Sequence, residues 1–260
     1  MDNCTFSADI VKCFNCGFIQ TEPVSATTLA HYYSTDYREK WTEQTFHSMR
    51  TQSRHQAEAQ VAFLEEMLEA QHFEKVLDYG AADGELLRML RPKCRSLYAT
   101  EQDPLYANQL KDEPWLTLLN EKELHDEQYQ GTFDLITISH VLEHLPDPSA
   151  ILCTFAIMLA PGGILLIDVP HELELLKCGG HGSGHLQFFT AEHLRILVNR
   201  DGFYDLLEIR RCNRSIGDFI SSNFTLPEDH SIANNKNGTT IRALFRNRNH
   251  GHKTPPNSAV

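Results

Sequence analysis

A chain of 260 residues with 41% hydrophobic and 22% charged side chains can bury one large core plus a small appendage. Its formal net charge of -12 argues against a phosphate backbone as partner, and Arg242, Arg246, Arg248 and Lys253 form the one local basic run. No apolar run approaches the ~20 residues of a membrane helix, and Asp2 and Asn3 do not open an export signal. The expected setting is cytoplasmic, with neither nucleic acid nor membrane as partner.

Seven cysteines without an export signal point to reduced thiols or a metal rather than a disulfide framework. Cys13-Phe14-Asn15-Cys16-Gly17 has the C-x-x-C-G form of a zinc knuckle, with Cys4 as a third thiolate nearby. Three thiolates leave a structural zinc site incomplete, so a partial knuckle and idle thiols both stay open. Cys94, Cys153, Cys178 and Cys212 stand alone and read as buried or idle thiols.

From Thr42 to Gln71 there is no Gly or Pro, and Val61, Leu64, Met67 and Leu68 recur at helical spacing, which predicts a long helix. Apolar runs of strand length follow at Lys75–Tyr79, Ser96–Thr100, Leu116–Leu119, Phe133–Ser139 and Gly163–Val169. Helical patterns at Gly84–Leu90, Leu105–Lys111, Ser149–Leu159 and Ala191–Arg200 alternate with them, and Gly162 and Gly163 read as a helix stop. Such alternation predicts a parallel sheet covered by helices. Two further strands, near Tyr204–Arg211 and Thr239–Phe245, could pair antiparallel at the sheet edge. The Asn234–Asn237 segment reads as a loop, and the polar tail from Asn247 to Val260 as disordered.

Val76-Leu77-Asp78-Tyr79-Gly80-Ala81-Ala82-Asp83-Gly84-Glu85-Leu86 is an apolar strand running through small residues into a helix. Small residues there let the backbone bend sharply and approach a ligand at the carboxyl end of the first sheet strand. A dinucleotide fingerprint, G-x-G-x-x-G, fails because Ala82 and Glu85 occupy its second and third glycine positions. Glu101 falls about twenty residues past the turn, after a second strand, where a carboxylate can accept both ribose hydroxyls.

The set Asp78, Gly80, Ala82 and Gly84 resembles the first motif of the class I S-adenosylmethionine-dependent methyltransferases, with one Gly-to-Ala departure at Ala82. Phe133 through Pro148 and Leu159-Ala160-Pro161-Gly162-Gly163 resemble the fourth- and fifth-strand motifs of that family, so the likeness covers Val76 to Val169 in order. The resemblance implies a Rossmann-like α/β fold whose seven-stranded sheet is mostly parallel with an antiparallel edge strand, and helices on both faces. It implies that Asp78 and the turn backbone hold the amino-acid end of S-adenosylmethionine, a cationic ammonium calling for a carboxylate. It places His140 beside the methionine portion and adds Gln102 and Asn120 to the cofactor contacts. The Cys13–Tyr37 stretch resembles the zinc-ribbon lead-in of some bacterial members, with one cysteine missing. Tyr32, Tyr33 and Tyr37 could face the sulfonium.

His140-Val141-Leu142-Glu143-His144 also spells H-x-x-E-H, the signature of inverted zincins. That signature needs a continuous helix, whereas His140 follows a β-type run and Pro146 and Pro148 stop any helix soon after. In the resembling family the Gly- and His-rich loop holding His171, His181 and His185 faces the acceptor. His185, next to the apolar Leu186-Gln187-Phe188-Phe189, is the first choice for a general base, and His181, between glycines, the second. The reading is a methyltransferase domain at 41–247 acting on a small molecule by in-line transfer, with a cysteine-bearing extension at 1–40 and a disordered tail at 248–260. A non-catalytic methyltransferase-like binding protein and a nucleotide-dependent oxidoreductase are the rivals.

Overall fold

The structure, a computed structural model, describes residues 9–25, 27–29, 43–69, 72–171, 184–212 and 239–248. In chain order its elements are β1 (Ile10–Lys12), β2 (Ile19–Thr21), α1 (Glu43–Leu68), β3 (Phe73–Tyr79), α2 (Glu85–Leu90) and β4 (Cys94–Thr100). Then come α3 (Pro104–Lys111), β5 (Leu116–Leu119), β6 (Phe133–Ser139), α4 (Pro148–Met158) and β7 (Leu159–Pro170). The last are β8 (Gln187–Phe188), α5 (Ala191–Asn199), β9 (Tyr204–Cys212) and β10 (Thr240–Asn247).

Seven strands form one sheet in the order β5-β4-β3-β6-β7-β10-β9. The first five in that order run parallel, and β10 is antiparallel to both β7 and β9. The antiparallel strand therefore stands one place in from the edge. Chain order reverses between β3 and β6, and the carboxyl ends of these two strands border the crevice where open α/β sheets bind ligands. The period-two alternation of each strand fills both faces. Leu77, Ile136, Leu165 and Phe245 pack with Phe155 and Leu194 of α4 and α5, while Val76, Leu135, Leu166 and Leu244 pack with Phe63, Leu87 and Leu110 of α1 to α3.

Local chemistry sets the starts of α3 and α4 one residue earlier than the apolar pattern shows. Pro104 and Pro148 take the first helical position, and Asp103 and Asp147 accept backbone N–H groups from Leu105 and from Ser149 and Ala150. Gly162 and Gly163, read as a helix stop, lie inside β7 instead. The helix has already ended at Met158, and the glycines form an irregularity where pairing jumps from Phe133–Leu159 to Leu135–Ile164. Asn247, expected at the start of the tail, is buried in β10, donating to the carbonyls of Ala156 and Leu159, and Arg248 pairs with Asp205. Asn234–Asn237 and residues 249–260 lie outside the described residues. Among those described, no helix is long and apolar enough to cross a membrane.

On α1 the fully covered positions are Ala57, Gln60, Phe63 and Leu64, whereas Val61, Met67 and Leu68 are half-buried. The extension contributes a hairpin: β1 pairs with β2, and β2 pairs with β8. Phe18 packs on Phe189 at a ring separation of 5.6 Å, joining the extension to the segment after His185.

Candidate active site

The turn after β3 is built on left-handed backbone. Gly80, Ala82 and Gly84 have φ of 78°, 48° and 76°, so the three small residues singled out in the sequence are the three that turn the chain. A Cβ on Gly80 would lie 2.5 Å from Val141 Cγ2, so the turn and the end of β6 touch there. Ala82 holds this conformation at a cost of about 1–2 kcal/mol. Its N–H donates to Glu101 Oε2 at 2.7 Å. The other Glu101 oxygen accepts the Asp103 N–H at 2.6 Å, so this carboxylate, from the end of β4, clasps the turn.

Asp78 is 4% exposed and accepts the Thr137 hydroxyl at 2.6 Å. Burial pushes its carboxyl up to about 7, against the Thr137 bond, and the nearby Glu101 and Asp83 charges push the same way. Burial likewise raises Glu101, against the N–H donors of Asp103 and Ala82. Two carboxyls on adjacent strands thus stand side by side, where a nearby cation would favour their charged forms. Gln102 is exposed and donates to Glu121, while Asn120, also exposed, uses its Oδ1 to accept the N–H groups of Lys122 and Glu123.

His140 ends β6 in the left-handed region, φ 53°, with its N–H on the Asp168 carbonyl at 2.9 Å. Residues Leu142–His144 form a single 3-10 turn, so H-x-x-E-H is no zincin helix. Yet its side chains converge: Glu143 is fully buried, and its Oε1 lies 3.5 Å from His140 Nδ1, 3.9 Å from His144 Nε2 and 4.0 Å from His185 Nε2. Two bonds fix the His185 segment there, Leu186 N–H to the Glu143 carbonyl at 2.8 Å and His144 Nδ1 to the Gly184 carbonyl at 2.9 Å. Leu186, Gln187, Phe188 and Phe189 are all buried, as an anchor for His185 requires. His171 is buried after β7, its N–H on the Thr239 carbonyl, and is not among the ligand atoms gathered around Glu143.

Cys13 and Cys16 are exposed in the β1–β2 turn, and backbone donors from Cys16 and Asn15 hold the Cys13 thiol below its ordinary value. Cys4, His181, Tyr32, Tyr33, Tyr37 and Cys178 lie outside the described residues.

The sequence reading missed a buried polar group under the crevice. Asp168 of β7 and Arg242 of β10 face each other in register and form a two-pronged ion pair at 2.8 and 2.7 Å, 0% and 1% exposed. Gln60 donates to Asp168 at 3.0 Å and to Ser139 at 2.9 Å, and Gln56 to Ser139 at 2.6 Å. Arg242 therefore belongs to no surface basic run. The signal was present as the one acid in β7, as a base at an inward position of β10 and as glutamines four apart on α1.

A doubly wound sheet with a small-residue turn after its first strand and acids on its first two strands is the layout of the Rossmann-like class. The family model described as Methyltransferase domain matches residues 46–208, and the chain belongs to that family, whose members are S-adenosylmethionine-dependent methyltransferases. The ubiquinone biosynthesis O-methyltransferase of Shewanella pealeana (strain ATCC 700345 / ANG-SQ1) is 39% identical over 133 residues, covering 45% of this chain and 56% of its own. That of Shewanella halifaxensis (strain HAW-EB4) is 24% identical over 133 residues with the same coverage, so the chain spans about half the length of these curated relatives. Among solved structures, N-methyltransferase NodS from Bradyrhizobium japonicum WM9 in complex with S-adenosyl-l-homocysteine is 18% identical with a TM-score of 0.53, over 86% of this chain and 98% of that one. An S-adenosylmethionine-dependent methyltransferase from Thermotoga maritima is 15% identical with a TM-score of 0.59, over 85% of this chain and 100% of its own. Both share the fold.

Proposed function

We propose that this methyltransferase binds S-adenosylmethionine at the turn after β3 and methylates an oxygen nucleophile on a small-molecule acceptor. The observation that carries the cofactor half is the turn itself, with three left-handed small residues clasped by Glu101 and a buried carboxylate, Asp78, behind them. The residues fit the group: ionised Asp78 complements an ammonium, the Glu101 carboxylate can accept a ribose hydroxyl, and Gly80, Ala82 and Gly84 bring backbone close. His140 stands at the methionine side, with Gln102 and Asn120 on the rim.

S-adenosylmethionine supplies, when bound, a sulfonium methyl for in-line transfer. The protein's own part is to align the acceptor, exclude water and help it lose its proton. His185, anchored by the buried segment after it, serves that deprotonation, with His181 of the same loop as the second candidate. An oxygen acceptor is supported by the O-methyltransferases that match nearly half of the chain. The catalytic unit in this reading is 41–247 extended by Arg248, and the region 1–40 is an appendage that braces the acceptor-side segment through β2 and β8. Calorimetry with S-adenosylmethionine and S-adenosylhomocysteine tests the cofactor half, and binding of neither overturns it. His185→Asn should leave that binding unchanged and lower turnover on a true acceptor ~10²-fold or more; unchanged turnover removes His185 from the reaction.

A further inference from the structure

We propose that Glu143, His144 and His185 form a binding site for one divalent transition-metal ion of the zinc class, open on its remaining side to an oxygen donor of the acceptor. The site itself stands on geometry, and only the ion's role rests on the acceptor reading above. One ligand atom from each of the three residues lies within 4.8 Å of the others. Tetrahedral coordination at bond lengths of about 2.0–2.1 Å separates donors by roughly 3.4 Å. The 3.9 and 4.0 Å spacings from Glu143 Oε1 to the two imidazoles need only a small contraction to reach that.

The tautomer of His144 sharpens the point. Its Nδ1 lies 2.9 Å from the Gly184 carbonyl, which can only accept, so Nδ1 carries a proton and Nε2 is the nitrogen turned toward Glu143, the one a metal ion would take. A ring whose second nitrogen donates to a backbone carbonyl is the usual support of a metal-bound histidine. The donors are also fixed before any ion arrives. Glu143 and His144 share one 3-10 turn, and the Leu186 N–H on the Glu143 carbonyl ties the His185 segment to it.

Two nitrogens and one carboxylate oxygen suit zinc and its neighbours better than magnesium, and three ligands, the number found among the described residues, leave one tetrahedral position for the acceptor. Glu143 is 0% exposed while His144 and His185 are 19% and 17% exposed, so the open side is the imidazole side. Val141, two residues before Glu143, is the residue that abuts Gly80 of the cofactor turn. With the ion bound, His185 acts on the acceptor through the metal instead of as a free base: an acceptor hydroxyl on the ion would lose its proton to solvent, and its oxygen would then form the new bond to the methyl carbon as the carbon–sulfur bond breaks.

The test uses the full chain, stripped with a chelator and titrated with Co²⁺ followed by absorption. A single ion per chain with ligand-field bands but no thiolate charge transfer is expected, and it should persist in Cys4→Ser/Cys13→Ser/Cys16→Ser. His144→Ala and His185→Ala should each weaken it about 100-fold or more, since even an outer partner is worth 10–100-fold. Absence of such binding, or affinity unchanged in both histidine variants, overturns the site. S-adenosylhomocysteine binding measured on the same samples separates the two readings. Retained cofactor binding without metal binding refutes the metal site alone and returns His185 to the role of a free base; metal binding without cofactor binding counts against the cofactor turn.

Discussion

Raising the pH from 6 to 8 should tighten S-adenosylhomocysteine binding about tenfold, because Asp78 must be ionised to meet the ligand's ammonium. Burial holds its carboxyl at about 7 instead of the ordinary 3.8. About one chain in ten then carries the charge at pH 6 and nine in ten at pH 8, a difference of ~1.4 kcal/mol. The same shift acts on the ligand-free fold with a defined sign. The folded chain keeps this proton to higher pH than the unfolded chain, so the stability it contributes is fully present below pH 3.8 and is lost as pH rises through about 7. A raise of roughly three units corresponds to about 4 kcal/mol. Asp78→Asn keeps the shape and an acceptor for Thr137 but has no charge to gain. It should bind S-adenosylhomocysteine ~10-fold or more weakly at pH 8, flatten the binding profile, and melt at higher temperature than the parent at pH 8. Calorimetry at pH 6, 7 and 8 with melts on the same samples decides it. A flat profile in the parent, or an equal slope in Asp78→Asn, refutes the assignment.

Glu101→Gln should weaken S-adenosylhomocysteine binding ~10-fold or more and lower the melting temperature, because an amide nitrogen then faces the N–H of Ala82 or Asp103. Gly80→Ala should cost about 1–3 kcal/mol in chemical denaturation, since its Cβ meets Val141 at 2.5 Å on a left-handed backbone; a neutral result would show that the turn yields. Arg242→Met should cost about 3–5 kcal/mol by leaving Asp168 buried and unpaired, and Asp168→Leu in addition should recover most of it. No recovery in the double variant would mean that Gln60 and Ser139 need the charged pair.

The strand, turn and first helix were legible because Val76 to Leu86 compresses everything into eleven consecutive residues, with apolar period, small residues and acid in fixed order. Gly162 and Gly163 misled because glycine marks helix stops and strand irregularities alike, and only the partner strand tells them apart. Arg242 read as part of a basic run for a similar reason. Position along a strand, not nearness in sequence, decides whether a side chain ends in the core, where Asp168 awaits it, or outside, as Arg246 does. The Glu143 cluster was half visible. H-x-x-E-H names two of its donors, but His185 comes from far along the chain, and nothing local announces that Gly184 and Leu186 dock on that turn. The pairing of β2 with β8 spans most of the chain and left no mark in either segment.

The place of β10 in the sheet has a consequence for how the molecule comes together. Among the described residues, β9 has one neighbour, β10, and β10 is the last strand in the chain although it lies inside the sheet. Until Thr240–Asn247 slides between them, β7 and β9 each present a row of unpaired N–H and carbonyl groups, and Asp168 waits without Arg242. Such open edges are templates for pairing between chains, and insertion of a late, distant strand is slow. Refolding yield should therefore fall with protein concentration, and a competing peptide that imitates β10 would trap the chain one strand short of closure.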